Sequence, residues 1–124
     1  MKFAFALVAL AAVAAAAPLE KRVTPNCGGK SFSNTNVNQA ISNGVNDRAS
    51  SSSYPHTYNN YEGFDFSGEC SDRSYQEFPL VTKSGGYTGG SPGAYRVIYG
   101  TNTGNFCGAI YHASSDNSFS QCDY

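Results

Sequence analysis

The sequence predicts an α+β fold in which a single N-terminal helix packs on a twisted antiparallel β-sheet, stabilised by two disulfides. An apolar stripe with helical period occurs once, early in the chain. Beyond it, short runs rich in Tyr, Phe, Val and Ile alternate with Gly-rich turns, which is typical of antiparallel strands with short connections. An even number of cysteines, four in 124 residues, indicates two disulfides in a small secreted domain.

The N-terminal segment has the pattern of a region that is removed during secretion. Residues 1–17 have a positive charge at Lys2 and continue as nearly unbroken Ala, Val, Leu and Phe, which is typical of a signal peptide. This run is shorter than the span of about 20 residues that crosses a membrane. Residues 18–22 end in Lys21-Arg22. This pair resembles a dibasic processing site, and the alternative is an ordinary solvated charge pair. We therefore expect a short propeptide at 18–22 and a secreted domain at 23–124.

The charge of the expected mature domain limits its contacts with nucleic acid. Residues 23–124 contain five basic and eight acidic side chains, a net charge of −3. Proteins that bind duplex nucleic acid through its phosphates usually carry a basic patch. This composition argues against that mode of binding. Any nucleic-acid contact is expected to be a small pocket for one or two nucleotides.

One helix is predicted, at residues 34–48. Ser33 is a suitable N-cap, because its hydroxyl can accept a hydrogen bond from a free amide of the first turn. Asn and Ser occupy the other faces of this segment. The apolar stripe has the spacing i, i+3, i+4 and i+8 and consists of Val37, Ala40, Ile41 and Val45.

Five strands are predicted beyond the helix. Each is a run of aromatic or branched residues bounded by turn residues, as at Ser84-Gly85-Gly86. The strands are expected at residues 54–57, 75–80, 96–99, 109–112 and 118–122. The cysteines allow three pairings, and their spacing does not choose between them. A zinc site is the alternative, but no CxxC or HxxxH spacing occurs in the chain.

Four side chains of this predicted sheet are candidates for chemistry. His56 and His112 are the two histidines, and Glu77 and Arg96 are charges inside apolar strands. Burying such a charge costs free energy, so a buried charge is expected to be paired or functional. The alternative is that Glu77 and Arg96 lie on a solvated face of the sheet. The set suits metal-free RNA cleavage, which needs a base at the 2′-hydroxyl, an acid at the leaving 5′ oxygen and a cation for the phosphate. No metal or cofactor is expected.

Residues 54–66 combine aromatic rings, amides and the carboxylate of Glu62. Single-stranded RNA is read by stacking bases on aromatic rings and by hydrogen bonds to base edges. A carboxylate can accept parallel hydrogen bonds from N1 and N2 of guanine, whereas adenine has no donor at N1. This segment therefore indicates a guanine pocket. The alternative is an aromatic loop that packs on the core.

Several segments, in order, resemble the secreted fungal guanyl-specific ribonucleases, the ribonuclease T-one type of the microbial ribonuclease superfamily. The resemblance covers nearly all of residues 23–122. Its segments are the base-recognition loop at 54–66, the glutamate strand at 76–79, the arginine segment at 87–97, the second-histidine strand at 109–112, and Asn117-Ser118-Phe119 followed by a terminal cysteine.

The resemblance implies a catalytic role for six residues. Glu77, helped by His56, would remove the proton of the 2′-hydroxyl, and His112 would protonate the leaving 5′ oxygen. The reaction would pass through a 2′,3′-cyclic phosphate to a 3′-phosphate. Three further side chains would contact the phosphate: Tyr54, Arg96 and Phe119.

The resemblance also implies a guanine site. Tyr58 and Tyr61 would stack on either side of the base, and Glu62 would accept from N1 and N2. Three asparagines would contribute mainly through backbone groups: Asn59, Asn60 and Asn117. The implied disulfides are Cys27–Cys122, the family's long-range bridge, and Cys70–Cys107, which only some relatives share.

The chain departs from the family pattern in two places. His112 and Phe119 are one residue closer in sequence, and residues 67–74 carry extra residues. The resemblance implies a monomer that acts on single-stranded RNA and has no membrane segment in its mature form. One alternative is a ribotoxin, although the short loops and negative charge argue against it. The other is a non-catalytic secreted effector that keeps the ribonuclease fold and binds RNA.

Overall fold

The computed structural model describes residues 22–124, so the predicted signal peptide and residues 18–21 lie outside the described residues. One helix and seven strands make up this part of the chain. In chain order they are β1 (Asn26–Cys27), β2 (Lys30–Ser31), α1 (Asn34–Val45), β3 (His56–Tyr58), β4 (Tyr75–Pro79), β5 (Tyr95–Gly100), β6 (Phe106–Tyr111) and β7 (Ser120–Gln121).

Helix α1 begins where the sequence predicts it. Ser33 Oγ accepts from the amide of Asn36 at 3.1 Å, and Asn36 Oδ1 accepts from the amide of Ser33 at 2.9 Å. These reciprocal bonds form a capping box, which satisfies two amides of the first turn. The predicted C-terminal end, at residue 48, is wrong. The helix ends at Val45, because the chain turns at Asn46 and reaches a positive φ of 54° at Asp47.

The main sheet is antiparallel, with the strand order β3-β4-β5-β6-β7. The predicted strands all occur, but their ends differ. Strand β3 begins at His56 rather than at residue 54, since Pro55 has no amide to donate to a ladder. The hairpin β1–β2 was not predicted. Its sequence signal is the Gly28-Gly29 pair, whose positive φ angles suit a two-residue turn.

The two faces of the sheet bury separate apolar clusters. Phe78 on β4, Val97 on β5 and Ala109 on β6 belong to the cluster that includes Val37 and Ala40 of α1. The helix packs against β4 and β5. Because strand side chains alternate, the neighbouring positions point to the opposite face. That face contains a second cluster, formed by Tyr58, Phe66, Cys70, Ile98, Cys107 and Ile110.

A buried asparagine joins the helix to the loop before β5. Asn43 is 1% exposed, and its amide donates to the carbonyls of Gly85 at 2.8 Å and Tyr87 at 3.2 Å. The side-chain amide of Gln39 donates to Oδ1 of Asn43 at 2.8 Å. The predicted apolar stripe did not include Asn43. It included Val45 instead, which is 57% exposed.

Two disulfides close the fold. One joins Cys27 of β1 to Cys122, and the other joins Cys70 to Cys107 of β6. This is the pairing that the family resemblance implies. All four half-cystines are buried. Among the described residues, no helix has the length and apolar character needed to cross a membrane.

Candidate functional site

A cluster of charged side chains lies on the sheet face opposite to the helix. His56 on β3 is the direct cross-strand partner of Glu77 on β4. His56 Nδ1 lies 3.5 Å from Glu77 Oε1, and Arg96 Nε lies 3.4 Å from Glu77 Oε2. Glu77 and Arg96 are buried, whereas the His56 side chain is 43% exposed. The strand register therefore brings together three of the residues predicted from the sequence.

Burial determines the acid–base character of Glu77. Desolvation raises the pKa of its carboxyl group, because the ionised form loses contact with water. The nearby charges of His56, Arg96 and His112 oppose this rise. A carboxylate with a raised pKa is a stronger base than an exposed one. Glu77 can therefore accept a proton at a position that solvent barely reaches.

The guanidinium of Arg96 is held by the loop before β5. One terminal nitrogen donates to the carbonyls of Gly93 at 2.8 Å and Tyr95 at 2.9 Å. The other donates to the hydroxyl of Tyr54 at 3.0 Å. Nε has no hydrogen-bond partner among the described residues, so its contact with Glu77 is an ion pair without hydrogen-bond alignment. The cation is thus fixed beside the carboxylate.

The ring of Tyr54 contacts both the cation and the first histidine. The Arg96 guanidinium is 5.1 Å from the centre of this ring. The imidazole of His56 stacks on it at 4.6 Å. These contacts join His56 to Tyr54 and Arg96, the two side chains that the family resemblance implies at the phosphate oxygens.

His112 follows directly after strand β6. Its amide donates to the carbonyl of Ala94 at 2.9 Å. The antiparallel pairing of β5 with β6 therefore continues one residue beyond the ends of these strands. Its Nδ1 lies 2.9 Å from the carbonyl oxygen of Ser118. Its ring stacks on Phe119 at 4.0 Å. Because a carbonyl only accepts, Nδ1 carries the hydrogen and Nε2 remains for a ligand.

A pocket of about 300 Å³ adjoins this cluster. It is formed by the segment after β3 together with residues from the C-terminal loop. A larger groove, of about 600 Å³, runs along α1, but Glu69 is the only charged residue in its lining. The smaller pocket therefore has the chemistry of a site. Its lining residues are His56, Thr57, Tyr58, Asn59, Asn60, Tyr61, Glu62, Glu77, Asn117 and Phe119.

The carboxylate of Glu62 is oriented by two internal donors. Oε1 accepts from the hydroxyl of Tyr58 at 2.9 Å, and Oε2 accepts from the amide of Phe119 at 3.1 Å. Burial, with the nearby Glu62 carboxylate, raises the pKa of Tyr58 well above its ordinary range, so the phenol stays a donor. A carboxylate has about four acceptor positions. Glu62 can therefore accept further bonds from a ligand while keeping these two.

The two tyrosines predicted to stack on a base differ in this structure. Tyr58 is a buried wall of the pocket, 6% exposed, whereas Tyr61 is 89% exposed. Asn60 has a positive φ of 56°, and its side chain bonds the amide and the carbonyl of Phe64. This turn places Asn59, Asn60 and Tyr61 along the rim of the pocket.

A family model described as ribonuclease matches residues 20–123. The chain belongs to this family. Guanyl-specific ribonuclease U1 of Ustilago sphaerogena is 60% identical over 103 residues, which are 82% of this chain and 97% of that protein. The extracellular guanyl-specific ribonuclease Fl1 of Gibberella baccata is 46% identical over 102 residues, 77% of this chain and 92% of that protein.

A solved structure supports the same conclusion. A ribonuclease from Hericium erinaceus superposes with a TM-score of 0.63 and 34% sequence identity. The match covers 82% of this chain and 100% of that chain. The α+β fold predicted from the sequence is confirmed, as is the family.

Sequence reasoning missed the loop that supports His112. Asp116 accepts hydrogen bonds from Ser114 and Ser118, and the Ser118 carbonyl contacts His112. The sequence pattern that could have revealed this loop is its run of Ser and Asp, because both residue types form such turns. Cys70 and Cys107 also lie near Asp72, but their sulfurs are joined in a disulfide, so this group is not a metal site.

Proposed function

We propose that the protein is a secreted, metal-independent endoribonuclease that cleaves single-stranded RNA on the 3′ side of guanosine. The observation that carries the proposal is a buried Glu77–Arg96 pair beside His56 on one sheet face, next to a pocket lined by Glu62. Relatives over nearly the whole domain are named guanyl-specific ribonucleases. The site and these relatives support the same reaction.

In the first step, Glu77 accepts the proton of the ribose 2′-hydroxyl, with His56 beside it. The 2′ oxygen forms a bond to phosphorus, and the bond from phosphorus to the 5′ oxygen breaks. His112 donates a proton from Nε2 to this leaving oxygen. The products are a 2′,3′-cyclic phosphate and a free 5′-hydroxyl.

In the second step, water opens the cyclic phosphate and leaves a 3′-phosphate. The two acid–base groups now exchange roles: His112 removes a proton from water, and Glu77 returns one to the 2′ oxygen. In both steps Arg96 and Tyr54 stabilise the negative charge on the phosphate oxygens. Phe119, stacked on His112, packs against the same phosphate.

Guanine selectivity would come from the pocket next to this cluster. Glu62 accepts from N1 and N2 of guanine while Tyr58 and the Phe119 amide hold the carboxylate in place. Tyr61, exposed in the free protein, closes over the base opposite Tyr58. The guanine site is completed by backbone groups of Asn59, Asn60 and Asn117. Adenine lacks the N1 donor and would leave the carboxylate unsatisfied.

We also propose that the enzyme matures during secretion and acts as a monomer. Residues 1–17 would be a signal peptide, 18–22 a propeptide ending in Lys21-Arg22, and 23–124 the active domain. The family match to residues 20–123 is consistent with this division. The relative from Gibberella baccata is named an extracellular enzyme.

The decisive test is digestion of a defined single-stranded RNA in excess chelator, with the fragment ends mapped by mass spectrometry. We expect cuts after G alone, ending in a cyclic phosphate or 3′-phosphate. Cuts that need an added metal would contradict the mechanism. No cutting by a folded, disulfide-intact sample would reject the enzyme and favour an RNA-binding effector.

Two variants test the assigned roles. We expect Glu77→Gln and His112→Ala each to lower kcat by about 10²- to 10⁴-fold, the usual contribution of a general base or acid. The circular dichroism spectrum should be unchanged. Asp47→Asn, at an exposed turn that does not line the pocket, is the matched control and should keep normal turnover. Near-normal turnover in either active-site variant would refute the role of that residue.

A further inference from the structure

Residues 113–118 form a short exposed loop that is organised around one oxygen atom. Asp116 Oδ1 accepts from the hydroxyl of Ser114 at 2.7 Å, from the hydroxyl of Ser118 at 2.7 Å and from the amide of Ser118 at 3.2 Å. Three donors from two residues therefore converge on a single acceptor. The loop is tied into a fixed turn even though Asp116 itself is exposed.

This turn also determines where the carbonyl group of Ser118 lies. That carbonyl accepts from Nδ1 of His112 at 2.9 Å. The bond selects the tautomer that carries its hydrogen on Nδ1, and it fixes the rotation of the ring. The stacking of Phe119 on the ring, at 4.0 Å, reinforces the same orientation. The position of the Ser118 backbone thus decides which nitrogen His112 presents to the substrate.

We propose that Asp116 is a positioning residue for His112, acting through the backbone of Ser118. The inference rests on the proposed function, in which His112 is the general acid. Asp116 touches no substrate; it holds the loop so that His112 keeps Nε2 directed toward the leaving oxygen.

The ionisation of Asp116 suits this role. Hydrogen bonds from Ser118 and Ser114 lower the pKa of its carboxyl group to about 2. The group is therefore an acceptor at any pH at which the enzyme would work. The same turn holds Asn117 at a positive φ of 57°, a conformation that asparagine tolerates, and directs this residue to the guanine pocket.

Kinetics of three variants test the proposal. Asp116→Ala removes the acceptor, whereas Asp116→Asn keeps an oxygen at the Oδ1 position. Asp72→Ala is the matched control, since the Asp72 carboxylate accepts from the hydroxyl of Thr103 at 2.9 and 3.0 Å in a loop that does not line the pocket. We expect Asp116→Ala to lower kcat about tenfold, part of what a general acid contributes. Asp116→Asn and Asp72→Ala should stay within about twofold of the parent.

Nitrogen-15 NMR of the imidazoles measures the tautomer of His112. This tautomer would not change if Asp116 only stabilised the fold. In the parent protein, neutral His112 should be the Nδ1–H tautomer. In Asp116→Ala it should shift toward the Nε2–H tautomer, with the urea midpoint nearly unchanged, and Asp116→Asn should restore the parent spectrum. An unchanged His112 tautomer together with unchanged kcat in Asp116→Ala would overturn the proposal.

The two proposals fail in different ways. If the parent protein cleaves no RNA, the proposed function fails, and the NMR arm still reports whether Asp116 controls the His112 ring. If the parent cleaves RNA and Asp116→Ala behaves like Asp72→Ala in both measurements, only the positioning role of Asp116 fails.

Discussion

Glu77 shows how a single residue can be tuned by opposing effects. Its carboxylate is buried in the sheet, which penalises the charge, yet it lies within 3.5 Å of two groups that can carry positive charge. Desolvation is the larger effect, so the pKa of Glu77 is raised. The residue is therefore a base whose strength depends on its neighbours His56, Arg96 and His112.

The pH dependence of kcat/KM tests this balance. A general base must be ionised, so kcat/KM should rise with pH through a pKa above the ordinary range of a glutamate. His56→Gln removes the charge that most strongly opposes desolvation. The acidic limb of the His56→Gln pH profile should therefore move to higher pH. This shift is expected in addition to any fall in the maximal rate. If the acidic limb of the variant stays at the pH of the parent, the effect of His56 on the pKa of Glu77 is contradicted.

Glu62 is the residue from which base preference is expected to arise. Glu62→Gln keeps one acceptor oxygen but turns an NH₂ toward the donors of guanine. Hydrogen bonds to a charged group contribute about 1.5–3 kcal/mol, so the ratio of rates on GpN and ApN dinucleotides should fall about tenfold or more. Asp47→Asn, an exposed acid-to-amide change, is the control. An unchanged ratio in Glu62→Gln would contradict the guanine pocket.

Helix α1 is fixed to the sheet by a close approach. A Cβ at Gly44 would lie 2.7 Å from Oη of Tyr99 and 3.1 Å from two of its ring carbons. Tyr99 is 3% exposed, so its ring has little room to move. The helix can reach the sheet at this point because residue 44 has no side chain.

Gly44→Ala tests this contact because helix propensity predicts the opposite sign. Alanine favours a helix over glycine by about 1 kcal/mol, whereas overpacking a core costs about 1–3 kcal/mol. We expect the overpacking to dominate and the urea midpoint to fall. Gly68→Ala, where a Cβ would meet nothing within 4 Å, is the control. A more stable Gly44→Ala protein would mean that the helix can shift away without cost.

The elements also show where sequence reasoning succeeds. The start of α1 was predictable because capping is local, between Ser33 and Asn36. Its end was not, since the helix buries Asn43 and Gly44 while Val45 faces solvent. Those positions depend on carbonyls of Gly85 and Tyr87 that are more than 40 residues away. Apolar periodicity contains no information about such polar contacts.

At the scale of the whole molecule, one sheet separates two apolar clusters, and each contains buried half-cystines. The Cys27–Cys122 bond spans 95 residues and ties the first strand to the last, whereas Cys70–Cys107 spans 37. The first bond therefore constrains nearly the entire unfolded domain. The second bond constrains only its middle.

Removing each disulfide should show this difference. The chain-entropy relation gives a stabilisation of about 4.7 kcal/mol for a separation of 95 residues and about 3.8 kcal/mol for 37. The Cys27→Ala/Cys122→Ala protein should therefore unfold at lower urea than the Cys70→Ala/Cys107→Ala protein. Each is the control for the other. The reverse order would show that packing in the second cluster outweighs chain entropy.

Much of the candidate site was visible in the sequence, because a charge in an apolar strand needs a partner. Glu77 and Arg96 are such charges, and the register places them together. The supports of the site were not visible. The carbonyl of Ser118 and the amide of Phe119 are backbone groups that every residue carries, so only the fold reveals which ones are used.

The division of the site between strands and loops has an evolutionary consequence. Of the six residues proposed for acid–base catalysis and phosphate binding, three lie on paired strands, where a substitution disturbs the whole sheet: His56, Glu77 and Arg96. The pocket residues from Asn59 to Glu62 sit in a loop, where sequence drift is tolerated. In the proposed enzyme, descendants could thus change which base they read while inheriting the cleavage chemistry intact. Directed evolution toward a new base should concentrate its libraries on residues 59–62 and 117.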